Sequence, residues 1–276
     1  MPSGTLYWIT SCLYIGLAFY YWRTTWRSAE HPVSRLPFLL ARTGILIPLV
    51  LHTWLLYAGI FAEPTLRFGF GQALSVMLWL AVVIYWIENL FVRLDGLQFF
   101  VLLLAAISVV LPSVFTGMPA HTHADSIVFR VHLVLAMGAY SLFTIAALQA
   151  LLMAILEKRL HTGALTPSFA ALPPLLSLER VLFRIIAIGF ALLTATLATG
   201  FIFAEQVFAR AMRFDHKTLF AIVSWIIFAA LLAGRWHYGW RGRTAIRWIL
   251  SGFVALLLAY VGSRFVLEVI LGRGTG

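Results

Sequence analysis

Residues 97–115 read LQFFVLLLAAISVVLPSVF, an apolar run without a single charged side chain. At about 1.5 Å of rise per residue, a helix of this length covers the hydrocarbon core of a bilayer. The run is far longer than a barrel strand needs. In lipid a helix also satisfies its own backbone N–H and C=O groups. Working outward, seven more such runs follow: Leu6–Trp22, Leu36–Phe61, Gln72–Phe91, Ile127–Leu156, Val181–Glu205, Thr218–Gly234 and Ile246–Leu271. The sequence therefore predicts an all-α, polytopic membrane bundle of about eight transmembrane helices, with residues 1–276 forming a single integral membrane domain.

Composition supports lipid as the solvent. Charged residues make up 11% of the chain, against about 25% in soluble domains. The net charge of +10 is not a nucleic-acid signature, because Lys and Arg fall between the apolar runs rather than on one groove-like face. The odd-numbered loops hold Arg23, Arg27, Arg35, Arg93, Lys158, Arg159, Arg180, Arg235, Arg241, Arg243 and Arg247. The even-numbered loops hold only Arg67, Arg210, Arg213 and Lys217. Odd loops are thus expected in the cytoplasm, with both termini outside. No positive charge precedes the first apolar run, which reads as a retained helix rather than a signal peptide. Cys12 is the lone cysteine, which excludes an internal disulfide, a CxxC pair and a cysteine-based zinc site.

Signatures of soluble enzymes are missing: no phosphate-binding loop, no GxSxG and no HExxH. Phe68-Gly69-Phe70-Gly71 reads as a turn between spans, and no catalytic residue is assigned. The histidines say more. The topology puts His52 in the outer half of the second span, His132 near the outer end of the fifth, and His216 at the outer mouth of the seventh. His121 and His123 fall in an outer loop and read as solvated. An imidazole in lipid needs a partner, and intramembrane ionisable groups are candidate functional residues. Converging neutral imidazoles suit an iron porphyrin held by axial nitrogens, whereas simple hydrogen bonds to neighbouring helices are the plainer reading. Arg130 sits beside His132, and Arg210, Arg213 and Lys217 surround His216, against the charge rule for an outer loop. Such cations would pair with the propionates of haem or with lipid phosphate.

Other embedded polar groups read as structural. Arg264 and Glu268 are spaced to pair on one helix face. Glu88 and Arg42 are placed to reach the interface, and Gln149 to bridge helices. Thr194, Thr196, Thr199 and Gly200 suggest small-residue helix packing. In the loop before the sixth span, Thr166-Pro167 would cap a short interfacial helix and Pro173-Pro174 would set the span's entry.

From the fifth span onward a resemblance emerges. Val131-His132-Leu133 followed by Gly138-Ala139-Tyr140 resembles the histidine-bearing helix of the CcsA/CcmC cytochrome c assembly superfamily. Asp215-His216-Lys217-Thr218, Ala221-Ile222-Val223-Ser224-Trp225 and Gly239-Trp240-Arg241-Gly242-Arg243 resemble its next block. Pro173-Pro174-Leu175-Leu176-Ser177-Leu178-Glu179-Arg180 and Tyr260-Val261-Gly262-Ser263-Arg264 are similar to the YpjD branch, inner-membrane proteins related to HemX. The likeness is strongest over residues 127–276. It implies a multi-pass protein of the bacterial inner membrane with an outward-facing haem ligand at His132. The superfamily's tryptophan-rich outer loop, WGxxWxWD, has no counterpart, since residues 208–217 read FARAMRFDHK.

The expectation is a haem-binding membrane protein acting in haem handling or cytochrome maturation. His132 and His216 would be axial ligands to the iron of haem b and His52 an alternative ligand, with Arg130, Arg213 and Lys217 on the propionates. Its partners would be the lipid bilayer, haem, and another membrane or periplasmic protein. The alternative is a HemX-like scaffold or regulator that kept the fold and lost haem presentation. A transporter would need discontinuous helices, for which Pro48 and Pro112 are the candidate breaks.

Overall fold

A computed structural model describes residues 4–27, 43–61, 68–91, 94, 96–115, 127–161, 175–208 and 216–259. They form eight α-helices: α1 Gly4–Tyr21, α2 Leu46–Phe61, α3 Phe70–Phe91, α4 Leu97–Val114, α5 Ile127–His161, α6 Leu175–Phe208, α7 His216–Tyr238 and α8 Gly242–Leu257. A π-helical turn, Trp22–Arg27, continues α1. Helices α3 to α7 are each long and apolar enough to cross a membrane, and α2 is a shorter apolar helix. The chain is a polytopic helical membrane bundle.

The apolar pattern explains why these helices need lipid outside as well as a core inside. On α2, Ile47, Val50, Trp54, Tyr57 and Phe61 form an exposed stripe at three- and four-residue spacing, while Leu49, His52, Leu55, Leu56 and Ile60 are buried. Water could not cover that outer stripe without large cost, so it faces hydrocarbon. Helix α5 is the hub: 78% of its most apolar window is buried, against 22% for α7. It packs on α3, α6 and α8, while α1, α2, α3 and α4 form the other half of the bundle.

Hydroxyl groups stitch the helices by donating to backbone carbonyls of other helices. Ser11 bonds Ala106 O at 2.8 Å, Tyr140 bonds Leu256 O at 2.9 Å and Ser224 bonds Gly252 O at 2.9 Å, while Ser141 shares its proton between Met77 O at 2.8 Å and Met137 O of its own helix at 2.6 Å. Gln149 Nε2 donates to Leu178 O at 3.3 Å, so it bridges α5 and α6 as the sequence suggested.

Some expectations shift. Phe70 and Gly71 belong to the first turn of α3, so the predicted turn is confined to Phe68 and Gly69. Gly71 is needed for close packing: a Cβ there would lie 2.8 Å from Leu111 O of α4. A turn at Gly44–Ile45 precedes α2 and interrupts the span expected from Leu36, whose residues 36–42 lie outside the described residues. Glu88 is half-buried, and its Oε2 is buried with no hydrogen-bond partner among the described residues. Arg42, Thr166, Pro167, Pro173, Pro174, Arg264 and Glu268 lie outside the described residues.

Candidate functional site

The C-terminal half of α6 carries three threonines in an apolar setting, and each solves its hydroxyl locally. Thr194 donates to Phe190 O at 2.8 Å, Thr196 to Leu192 O at 2.7 Å and Thr199 to Ala195 O at 2.8 Å. A hydroxyl has one proton, so its remaining lone pairs can only accept. Thr194 accepts from Trp225 Nε1 of α7 at 2.9 Å. Thr199 Oγ1 lies 3.1 Å from Nδ1 of His132 on α5.

This proton count assigns the histidine. Thr199 has spent its proton on α6, so Nδ1 of His132 carries the hydrogen and Nε2 keeps a lone pair. The backbone carbonyl of Thr196 also accepts from the ring, and the side chain is half-buried. Gly200 lets the ring lie against α6, since a Cβ there would sit 3.3 Å from His132 Cε1. Near in sequence to His132 and Gly200, Val131, Val134, Phe201 and Ile202 are exposed and apolar. A single imidazole nitrogen, anchored at its far side and open toward an apolar surface, fits an axial ligand of a porphyrin.

His52 is placed differently. It is fully buried, with Nε2 2.9 Å from Ser75 Oγ of α3 and Nδ1 3.4 Å from the Tyr14 hydroxyl of α1. Both ring nitrogens are taken, so as it stands this imidazole has no nitrogen for a metal. Ser75 lies two residues from Met77, which is bonded to Ser141 of α5. Counting along α5, His52 is therefore about 10 Å or more from His132 in depth.

His216 is the first residue of α7, and its side chain lies outside the described residues. Its backbone depth can still be compared. His132 meets Thr199 while Gln149 meets Leu178, so α5 and α6 run antiparallel. Trp225 meets Thr194 while Arg235 meets Glu179, so α7 is also antiparallel to α6 and parallel to α5. Phe143 of α5 stacks on Phe228 of α7 with centroids 3.9 Å apart. From that stack His132 is about 16 Å and His216 about 18 Å toward the same end. Arg130 is exposed and, two residues before His132, lies on a different face of α5, and Lys217 is half-buried at the start of α7. Neither α5 nor α7 has an acidic residue in its first turn, where a helix N-terminus favours anionic groups. Arg210, Arg213, His121 and His123 lie outside the described residues. Among the described residues there is no group of three or more His, Cys, Asp or Glu placed to hold a metal ion.

Sequence reading missed Thr199 and Gly200 as the seat of His132, and Tyr14 and Ser75 as the partners of His52. The threonine run was visible but read only as packing, and nothing in the sequence linked it to a histidine 67 positions away.

The family model for the cytochrome C assembly protein matches residues 43–271. Inner membrane protein YpjD of Escherichia coli K12 is 40% identical over 140 residues, covering 51% of this chain and 52% of its own. A 28.8 kDa protein of Azospirillum brasilense is 34% identical over 149 residues, covering 54% and 55%. Cytochrome c biogenesis protein CcsA of Synechocystis is 34% identical over 121 residues, covering 44% and 35%. The matched stretch spans about half the length of the first of these relatives. No solved structure matches the chain.

Proposed function

The chain belongs to the cytochrome c assembly protein family, and from that premise we propose that it binds haem b at the outer end of the bundle and acts in haem handling or cytochrome c maturation. The observation that carries this reading is the hydrogen bond from His132 Nδ1 to Thr199, which leaves Nε2 as a free lone pair. His132 would hold the iron from α5 and His216, at matching depth, from α7, and Arg130, Arg213 and Lys217 would pair with the propionates. Bound haem supplies a redox-active iron. The protein's own part is to orient the imidazole, fix its tautomer and exclude water with the apolar rim. Likeness to the inner membrane protein YpjD supports a multi-pass protein of the bacterial inner membrane, and the proposal adds one integral domain with both termini on the periplasmic side.

The test is a reduced-minus-oxidised absorption spectrum of the detergent-purified protein, expressed with and without added haem. A sharp α-band at near-stoichiometric haem, lost in His132→Ala, is the expected result. If that variant keeps its haem, the site is elsewhere.

One observation favours a second reading. Residues 208–217 contain no tryptophan, where assembly members of the resembled superfamily carry WGxxWxWD. A scaffold or regulator without haem presentation accounts for that loss. A colourless protein under both expression conditions would move this reading to the front.

A further inference from the structure

At the opposite end, α7 and α8 are joined by a turn built with unusual rigidity. Gly239, with φ 65°, ends α7 in the left-handed region, and Trp240 N–H returns to Gly234 O at 3.3 Å. The indole of Trp240 rests on Gly234, where any Cβ would collide with it, and stacks on Trp248 at 5.2 Å. Buried Glu179 of α6 pairs with Arg235, which also donates to Trp240 O at 3.1 Å. The outcome is a fixed frame holding Arg241, Arg243 and Arg247 in exposed positions. Glu157 takes Arg243 Nε at 2.9 Å, and Glu179 lies 3.8 Å from Arg241 Nε. Arg247 has no partner among the described residues. Among the described residues of this turn and its partners, Arg235, Arg241, Arg243 and Arg247 outnumber Glu157 and Glu179.

Along α8, Arg243, Arg247, Ser251, Val254 and Leu258 are all exposed, at spacings that line one helix face. The face is cationic at the turn and becomes apolar toward the middle of the bundle. Beside it, Trp236 and Tyr238 at the end of α7 are 84% and 79% exposed, as rings at a headgroup boundary are. Helix α7 is long enough to cross the bilayer, which sets the turn at that boundary. A soluble protein partner could meet the arginines but could not follow the face into hydrocarbon. A phospholipid has that same order of charge and oil.

We propose that this face binds one anionic phospholipid, its phosphate at Arg241, Arg243 and Arg247 and an acyl chain along Ser251, Val254 and Leu258. The frame of Glu179, Arg235 and Trp240 positions the cations and does not touch the lipid.

Full-length protein is extracted from membranes of phosphatidylcholine with a minor fraction of phosphatidylglycerol, and the retained lipid is counted by native mass spectrometry. Phosphatidylglycerol is retained in preference to phosphatidylcholine. Arg247→Gln weakens retention about fivefold and the double variant with Arg241→Gln about 25-fold, at the usual strength of one arginine near an anionic surface. Arg247→Lys restores most of it, and Arg23→Gln, the same charge loss elsewhere, leaves it unchanged. Unaltered elution and thermal unfolding in detergent show that the variants are folded. Equal retention of the two lipids, indifference to Arg241 and Arg247, an equal effect of Arg23→Gln, or displacement by millimolar inorganic phosphate would each overturn the assignment.

Discussion

His52 and His132 are the same residue in the same membrane, yet the two halves of the bundle use them in opposite ways. In the α1–α4 half, a tyrosine and a serine from two other helices close on both nitrogens of a fully buried ring. In the α5–α8 half, a threonine occupies one nitrogen of a half-buried ring and leaves the other open. What separates a structural imidazole from a candidate ligand is how many of its nitrogens the surrounding helices consume, and depth in the membrane does not decide it.

That contrast can be broken most directly at His132. Replacement by alanine should remove nearly all bound haem while shifting thermal unfolding in detergent little, because the hydrogen bonds lost are at a half-buried position. His52→Ala should do the reverse. It leaves a cavity and two buried hydroxyls short of a partner, at a cost of about 3 kcal/mol in denaturant unfolding, with haem per folded molecule unchanged. Loss of colour from folded His52→Ala would erase the distinction.

Thr199→Val sharpens the comparison, since it keeps the shape and removes the acceptor for Nδ1–H. Haem affinity should fall about 10- to 100-fold, as for other groups that orient a ligating histidine. Thr199→Ser should recover most of the loss, and a titration of apo-protein with haem reads both. The smallest effect expected is that of Ser75→Ala. Removing one hydroxyl between membrane helices should cost about 0.6 kcal/mol in the same unfolding assay and nothing in haem affinity.

The helices were legible in the sequence because hydropathy is a local property summed over many residues. Runs such as 97–115 leave the chain no other way to satisfy its backbone in lipid. Even the role of Gln149 was legible, since an isolated amide in an apolar run has few other uses. The seat of His132 was not. Thr199 becomes its acceptor only through the antiparallel register of α5 and α6, and its free lone pair depends on a further bond to Ala195. Phe68–Gly71 failed for a related reason: a glycine pair looks alike in a turn and in a tight helix crossing, and only the carbonyl of Leu111 shows that Gly71 is the latter.

The bonds from Ser11, Ser141 and Tyr140 to the carbonyls of Ala106, Met77 and Leu256 have a consequence for how the protein can change over generations. An acceptor on the main chain survives any substitution at its own position that leaves the helix intact. Half of each cross-link is therefore immune to point mutation, and selection need guard only the hydroxyl. Ser224 and Gly252 are the exception, because Phe228 leaves no room for a side chain at residue 252. Much of the apolar sequence is free to drift while the bundle keeps its register, so distant descendants would share the architecture long after their residues stopped matching.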